Sequence, residues 1–272
     1  MLGEELATAF VGEHGLFGDR AYALLDKTTG KVASAKSPRK WGRLLDCKAA
    51  LGDNSGPHKN TPEVFISLPG GELIRSSQPD CDERLSSWLG RPVELSAKYP
   101  ENTQTLSYEV YWPEIEGLAL QNAITESPIS QGAAPGTFFN YAPLHLVTTA
   151  ALRKLRALSP ESIFVAQRFR PNIVVETSED EPDFIENNWI GHTLTIGSEV
   201  QLQVTIGCPR CVVTTLPQSG ETLAKDEKIL RTVVQHNRID LGPYGVQACL
   251  GVYANIIKGG SIRRGDKIVI SQ

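Results

Sequence analysis

The run Val200-Gln201-Leu202-Gln203-Val204-Thr205-Ile206 alternates apolar and polar residues and stops at Gly207. A period of two places Val200, Leu202 and Val204 on one face, which is the pattern of a half-buried strand and not of a helix. Shorter runs of the same kind recur along the chain. Ala21–Asp26 and Lys31–Ala35 flank the polar turn Lys27-Thr28-Thr29-Gly30, and Val64–Leu68 and Glu72–Ile74 flank Pro69-Gly70-Gly71. Both pairs read as hairpins because the gaps hold turn residues. Arg91–Leu95, Leu144–Thr148, Ile173–Val175, Thr193–Ile196, Gly251–Ile256 and Lys267–Ile270 are further strands, the last two joined by a glycine-rich turn. Helical spacing is confined to a segment stopped by Gly90 (Leu85, Trp88 and Leu89 inward), to Thr149–Leu158 and to Lys225–Val234. Many short strands with few helices predict β-barrels rather than a βαβ sheet. The expected class is therefore α+β and β-rich. Residues 98–137 carry weak periodicity, so the expected organisation is a β-barrel-like N-terminal domain over 1–97, a connector and loop over 98–140, and a second β-barrel domain with a few helices over 141–272.

Charge and cysteine usage narrow the function classes. The formal net charge of −4 disfavours a general nucleic-acid-binding role. No apolar run approaches the ~20 residues that span a bilayer, and Met1-Leu2-Gly3-Glu4-Glu5 has no signal-peptide character. Five cysteines make poor disulfide arithmetic and fit a reducing compartment, so a cytoplasmic protein is expected.

The chemistry concentrates at Gly207-Cys208-Pro209-Arg210-Cys211-Val212-Val213-Thr214-Thr215. A guanidinium next to a thiol biases it toward thiolate, the form that binds metal or attacks. Cys208 and Cys211 also fit half of a zinc site, a dithiol or two packed thiols, but no second Cys/His pair and no βαβ context support the first two. Arg168-Phe169-Arg170-Pro171-Asn172 reads either as a surface turn or as an anion clamp, since Arg offers a fixed fork of donors to phosphate. Gly15-Leu16-Phe17-Gly18-Asp19-Arg20 reads as a tight turn with a local ion pair, and His145 as a packed strand residue.

Taken in order, these motifs, together with Glu186-Asn187-Asn188-Trp189-Ile190-Gly191, Gly251-Val252-Tyr253 and Arg264-Gly265-Asp266, resemble the MOSC family (molybdenum cofactor sulfurase C-terminal domain) over nearly the whole chain. The branch most similar is that of amidoxime-reducing components and bacterial reductases of N-hydroxylated bases. The resemblance implies a molybdopterin-type molybdenum cofactor between two β-rich domains. It makes Cys211 the catalytic molybdenum ligand, a soft thiolate on a thiophilic metal. It makes Pro209, Arg210, Arg170, Asn172 and Arg20 cofactor-binding, and leaves Cys208 a supporting position. It further implies a small N-oxygenated substrate and a separate electron-donor redox protein, since the chain has no iron–sulfur, flavin or nicotinamide motif. A non-catalytic cofactor or sulfur carrier, or a barrel with a decayed site, are the alternatives. Two departures from the pattern are expected to matter. A Lys-Ser strand that precedes the Gly-Glu pair in relatives is absent before Met1, and Asn140 stands where many reductases carry an Asp. The loop from Gln131 to Tyr141 is the expected substrate or partner entrance.

Overall fold

The computed structural model describes residues 1–52, 62–97, 106–134, 137–218 and 222–272. It has the expected β-rich α+β class. Its centre is a seven-stranded sheet that curls as a half-barrel, with Ile173–Val175, Leu144–Thr148, Val246–Lys258, Val200–Pro209, Thr193–Ile196 and Ile268–Ser271 in that spatial order and Arg238–Asp240 paired to the side. Val200, Leu202 and Val204 are buried, as the alternation requires, against Leu144, Leu146, Leu194 and Trp189. Removing each such side chain from water contributes roughly 1.5–3 kcal/mol.

Helices cover the other face of the sheet. Thr149–Leu158 starts where Thr148 Oγ1 accepts the Ala151 N–H at 3.1 Å, a side-chain cap that replaces a missing intrahelical partner. Leu152 and Leu155 of this helix meet Ile229, Leu230 and Val233 of Lys228–His236 and close a core with Phe164 and Phe169. The N-terminal part builds smaller sheets: Lys48–Leu51, Val64–Ser67 and Leu73–Arg75 in one, Ala23–Asp26 with Val93–Ser96 in another. Cys81–Leu89 is the helix expected there, and it ends on Gly90 in the left-handed conformation that a glycine adopts without steric cost.

Three elements differ from the expectations. Ser107–Trp112 and Ala123–Pro128 form an antiparallel hairpin inside the stretch of weak periodicity. Only Tyr108 and Val110 bury fully there, so the apolar signal was too thin to show. Lys31–Ala35 keeps one bridge of its hairpin, Leu25 to Val32, flanked by the Asp26 N–H to the Lys31 carbonyl and the Ala33 N–H to the Leu24 carbonyl at 2.8 Å each, while the outward Val32 N–H donates to the Ser107 carbonyl at 2.9 Å. The glycine-rich turn before the last strand contains the strand Gly260–Arg263, which pairs antiparallel with Thr8–Gly12. That pairing ties the two ends of the chain to one layer. Residues 98–105 of the connector, and Pro135 and Gly136 of the entrance loop, lie outside the described residues.

A second junction places the cysteine turn. Leu2 and Leu45 pack against Val212, Val213 and Leu216, with Cys211 half-buried at the edge of the cluster. The turn that follows the central strand is thus held between the N-terminal layer and the sheet.

Candidate functional site at the cysteine turn

Three strands converge behind the turn. His145 lies opposite Tyr253, Gly207 opposite Val252, and Pro209 opposite Cys249. The pairing of Val200–Pro209 with Val246–Lys258 shifts register between Gly207 and Pro209, so Cys208 falls in an irregularity of the ladder. Gly251 sits in the middle of the long strand with φ +75°, and a Cβ there would lie 2.2 Å from the Leu146 carbonyl oxygen and 2.5 Å from His145 Nε2. Only glycine allows this approach, and it brings His145 to the back of the site.

Arg210 is the hub. Its Nη1 donates to Cys208 Sγ at 2.9 Å and its Nη2 to the Phe169 carbonyl at 2.7 Å, while the guanidinium carbon stands 5.4 Å from the Phe169 ring centre. Its Nε is buried without a partner. Burial acts against the Arg210 charge, but the Cys208 and Cys211 thiols and Tyr253 outweigh it and raise its pKa. Burial likewise pushes the Cys208 thiol up; the Arg210 charge and then His145, with hydrogen bonds from His145 and Tyr253, win and bring it down to about 6.

Arg170 and Arg20 complete a group of three guanidiniums. Both hold their backbone at positive φ, 57° and 54°, which costs of order 1–3 kcal/mol each for a residue with a Cβ. Arg170 caps the short helix Ala166–Phe169 and donates Nη1 to the Met1 carbonyl at 2.9 Å. Burial, and then repulsion from Arg20, brings its pKa down to about 10, with Arg210 adding to the repulsion and Asp19 and Cys211 opposing it. Asp19 is the carboxylate of this cluster. It accepts from Asn172 Nδ2 at 2.7 Å and stands 3.7 Å from Arg20 Nε.

Asn172 spans two elements. Its Oδ1 accepts the His145 N–H at 2.9 Å while its own N–H donates to the His145 carbonyl at 2.8 Å. The side chain therefore braces the Asp19 turn against the sheet. Pro209 is exposed at the strand end and carries no N–H to donate. Cys211 opens the 3-10 turn Val212–Thr215, where Thr214 donates its N–H and hydroxyl to the Cys211 carbonyl at 3.2 and 3.1 Å. The structure thus brings Arg20, Arg170, Arg210, Asn172 and Cys211 to one place.

Arg168 does not join them as part of an anion clamp. It is 1% exposed and its guanidinium donates to the carbonyls of Ile163, Leu216 and Ala224 at 3.0, 3.2 and 2.8 Å, with Thr214 at 3.4 Å. It stitches the Arg168–Asn172 turn to the cysteine turn. Arg168→Lys, which keeps the charge but loses the fork, is expected to cost about 2 kcal/mol, because carbonyls stay buried without donors. Urea unfolding measures it, and an unchanged midpoint would contradict the assignment.

Asp19, His145, Glu186, Gly251 and Tyr253 are the contributors that side-chain chemistry alone did not single out. Glu186 is buried, accepts from the Thr148 hydroxyl, leaves Oε1 unpartnered, and has its pKa raised by burial. Tyr253 stacks on Tyr141 with ring centres 5.2 Å apart, and Tyr141 meets Tyr244 edge-on at 6.1 Å. This aromatic group roofs the same corner. Ser130 and Gly132 donate their N–H groups to the Phe139 and Tyr141 carbonyls, and the Phe139 ring packs on Gly15, so the segment that ends at Tyr141 touches the Asp19 turn. Among the described residues, no three His, Cys, Asp or Glu side chains gather as a metal-binding set.

A β-rich half-barrel carrying a Cys-Pro-Arg-Cys turn against clustered arginines defines the class, and the MOSC domain profile matches residues 134–269, half of the chain. The protein belongs to the MOSC domain family. It is similar to mitochondrial amidoxime-reducing component 1 of Danio rerio, 28% identical over 265 residues that cover 94% of this chain and 75% of that protein. Mitochondrial amidoxime reducing component 2 of Rattus norvegicus is 32% identical over 209 residues, 70% of this chain but 52% of that protein. Among solved structures, YiiM from Geobacillus stearothermophilus matches at 11% identity and a TM-score of 0.34, over 55% of this chain and 67% of that one. Among the described residues no helix is long and apolar enough to cross a membrane.

Proposed function

We propose that this chain binds a molybdenum cofactor of the molybdopterin type and works as an oxidoreductase that reduces N-hydroxylated or N-oxide compounds. The observation that carries the reading is the group formed by Arg20, Arg170 and Arg210 beside the half-exposed thiol of Cys211, with Asp19 as its carboxylate and Arg210 Nε buried without a partner. Arg170, whose charge is opposed by burial and by Arg20 and Arg210, is stabilised by an anion, and an unpartnered buried N–H needs an acceptor. An anionic phosphate and a dithiolene sulfur pair meet both needs. The names of the amidoxime-reducing relatives support the substrate class.

In this reading Arg170, Arg210 and Arg20 offset the cofactor's negative charge, Pro209 shapes the turn at its edge, and Asn172 keeps the Asp19 turn and His145 in register. Cys211 supplies a thiolate to the metal. The cofactor, when bound, would supply the electron and oxygen-acceptor chemistry, held by Cys211 and the three arginines. Asn140 holds no transferable proton, so a proton for the product comes from elsewhere. Burial, with Tyr244, pushes the neighbouring Tyr141 hydroxyl up to about 12, which keeps it neutral but makes it a poorer acid than an ordinary phenol. We read residues 1–97 as the partner domain of the family segment and take the electrons to come from a separate redox protein.

Reductase activity on a benzamidoxime, with a chemical reductant in place of the redox partner, tests the reading. Turnover by molybdenum-loaded chain is expected; molybdenum without turnover would favour a cofactor or sulfur carrier, and no molybdenum from a cofactor-competent host would sink both.

A further inference from the structure

We propose that Cys208 is a positioning residue: its buried sulfur stands against the Arg210 guanidinium as an anion and fixes the orientation in which that guanidinium serves the site. The pairing itself stands independently of any ligand; only its use rests on the function proposed above.

The geometry is that of a planar fork held at two prongs. Nη1 is on Cys208 Sγ at 2.9 Å and Nη2 on the Phe169 carbonyl at 2.7 Å, and the Phe169 ring lies against the cation. With two prongs fixed, the direction of the third nitrogen is set, because the guanidinium is rigid. That third nitrogen, Nε, is buried and unpartnered. The groups that hold the Arg210 charge against burial are Cys208, Cys211 and Tyr253, and no carboxylate is among them. A carboxylate at position 208 would take two N–H groups in parallel and occupy the donors the site needs. A thiolate is one acceptor atom, so it compensates the charge through Nη1 alone. A neutral hydroxyl would compensate nothing and leave a buried cation unpaired.

Arg210, His145 and Tyr253 all act to hold the sulfur as an anion against its burial. Arg210 faces it from the turn and His145 from Leu144–Thr148; Tyr253 and Cys249 face it from Val246–Lys258. Cys249 is pushed up to about 12, by burial and then by the Cys208 charge, and remains a thiol. The folded-state value for Cys208, about 6 against an ordinary 9.0, fixes the sign of the pH dependence. The contribution of this pair to stability is full above pH 9.0, declines as pH falls, and is gone below about 6.

The test is ultraviolet thiolate absorbance of the full chain, purified without cofactor and titrated from pH 5 to 10. Wild type minus Cys208→Ser is expected to show a thiolate that persists at pH 7, and Arg210→Met is expected to move its titration upward by at least about one unit. A thiolate appearing only near the ordinary cysteine value, or a titration that Arg210→Met leaves in place, would overturn the pairing. If Cys208→Ser does not fold, wild type against Arg210→Met alone decides it. In chain from a cofactor-competent host, Cys208→Ala is expected to retain about a tenth of the wild-type molybdenum, as for loss of a residue that orients a ligand. Removal of a remote buried thiol by Cys81→Ala is expected to retain it all. Equal retention in both variants would overturn the positioning role. Wild-type chain without molybdenum would sink the proposed function and leave the absorbance result to decide the pair.

Discussion

Cys211→Ser, produced in a host that makes the molybdenum cofactor, is expected to carry less than about a tenth of the wild-type metal and to lose reductase turnover with it. Loss of a residue that merely orients a metal ligand typically costs 10–100-fold in affinity, so under the proposed function, which makes Cys211 the ligand, its removal costs at least that. Serine keeps the size of the side chain but exchanges a soft, ionisable donor for a hard hydroxyl, a poor partner for a thiophilic metal. The fold is expected to survive, because Cys211 is half-buried at the edge of its cluster and the capping contacts of its turn come from its backbone carbonyl. Metal content by elemental analysis and thermal unfolding separate these effects. Wild-type metal in the serine variant would remove Cys211 from the ligand set, whereas a collapsed unfolding midpoint would mark it as structural.

The largest effect on stability is expected at Gly251→Ala, at about 3 kcal/mol or more. A methyl group there would lie 2.2 Å from a backbone carbonyl oxygen and 2.5 Å from His145 Nε2, at a φ of +75°. Neither neighbour has room to move. The carbonyl belongs to Leu146 in the middle of the sheet, and His145 is buried with Nε2 3.1 Å from the Leu250 carbonyl. Gly30→Ala is the matched control, since it also sits at positive φ, +71°, but a Cβ there meets nothing within 4 Å. It is expected to show only the roughly 1 kcal/mol of the left-handed backbone. Urea unfolding of both reads the difference. A Gly251→Ala chain no less stable than Gly30→Ala would mean that the strands do not approach as described.

The strands that were legible are those whose pattern is carried by aliphatic residues. Val200–Ile206 buries alternate aliphatic residues in the sheet core, and that burial is what writes a period of two into its sequence, whereas Leu144–Thr148 is buried at all five positions and shows as a short, mostly apolar run. The hairpin Ser107–Trp112 with Ala123–Pro128 was not legible because most of its residues stay partly exposed, so polar and apolar residues both satisfy its positions. The strand Gly260–Arg263 was hidden for a different reason. Its partner Thr8–Gly12 lies at the other end of the chain, and local pattern carries no record of a long-range pairing.

At the site, the motifs showed which residues carry chemistry but not how they divide the work. Arg168 and Arg170 are two residues apart, and nothing in their spacing separates them. The short helix and its left-handed cap send Arg168 into a cage of carbonyls and Arg170 to the cluster with Arg20 and Arg210. Asp19 and Asn172 likewise look like independent turn residues until the fold sets them 2.7 Å apart.

The sequence by itself determined the class of fold through its burial period and the family through its ordered motifs, and it marked the thiols and guanidiniums whose chemistry suits a soft metal and an anion, because these are local properties. Only the tertiary structure decided which thiol is buried against a guanidinium and which stands half-exposed near Arg170 and Arg210. Cys208 and Cys211 are three positions apart in a nearly symmetric motif, and their chemistry is the same until strands from distant parts of the chain surround one and not the other. Desolvation and charge act through space, and the space is made by Gly251, His145, Phe169 and Tyr253.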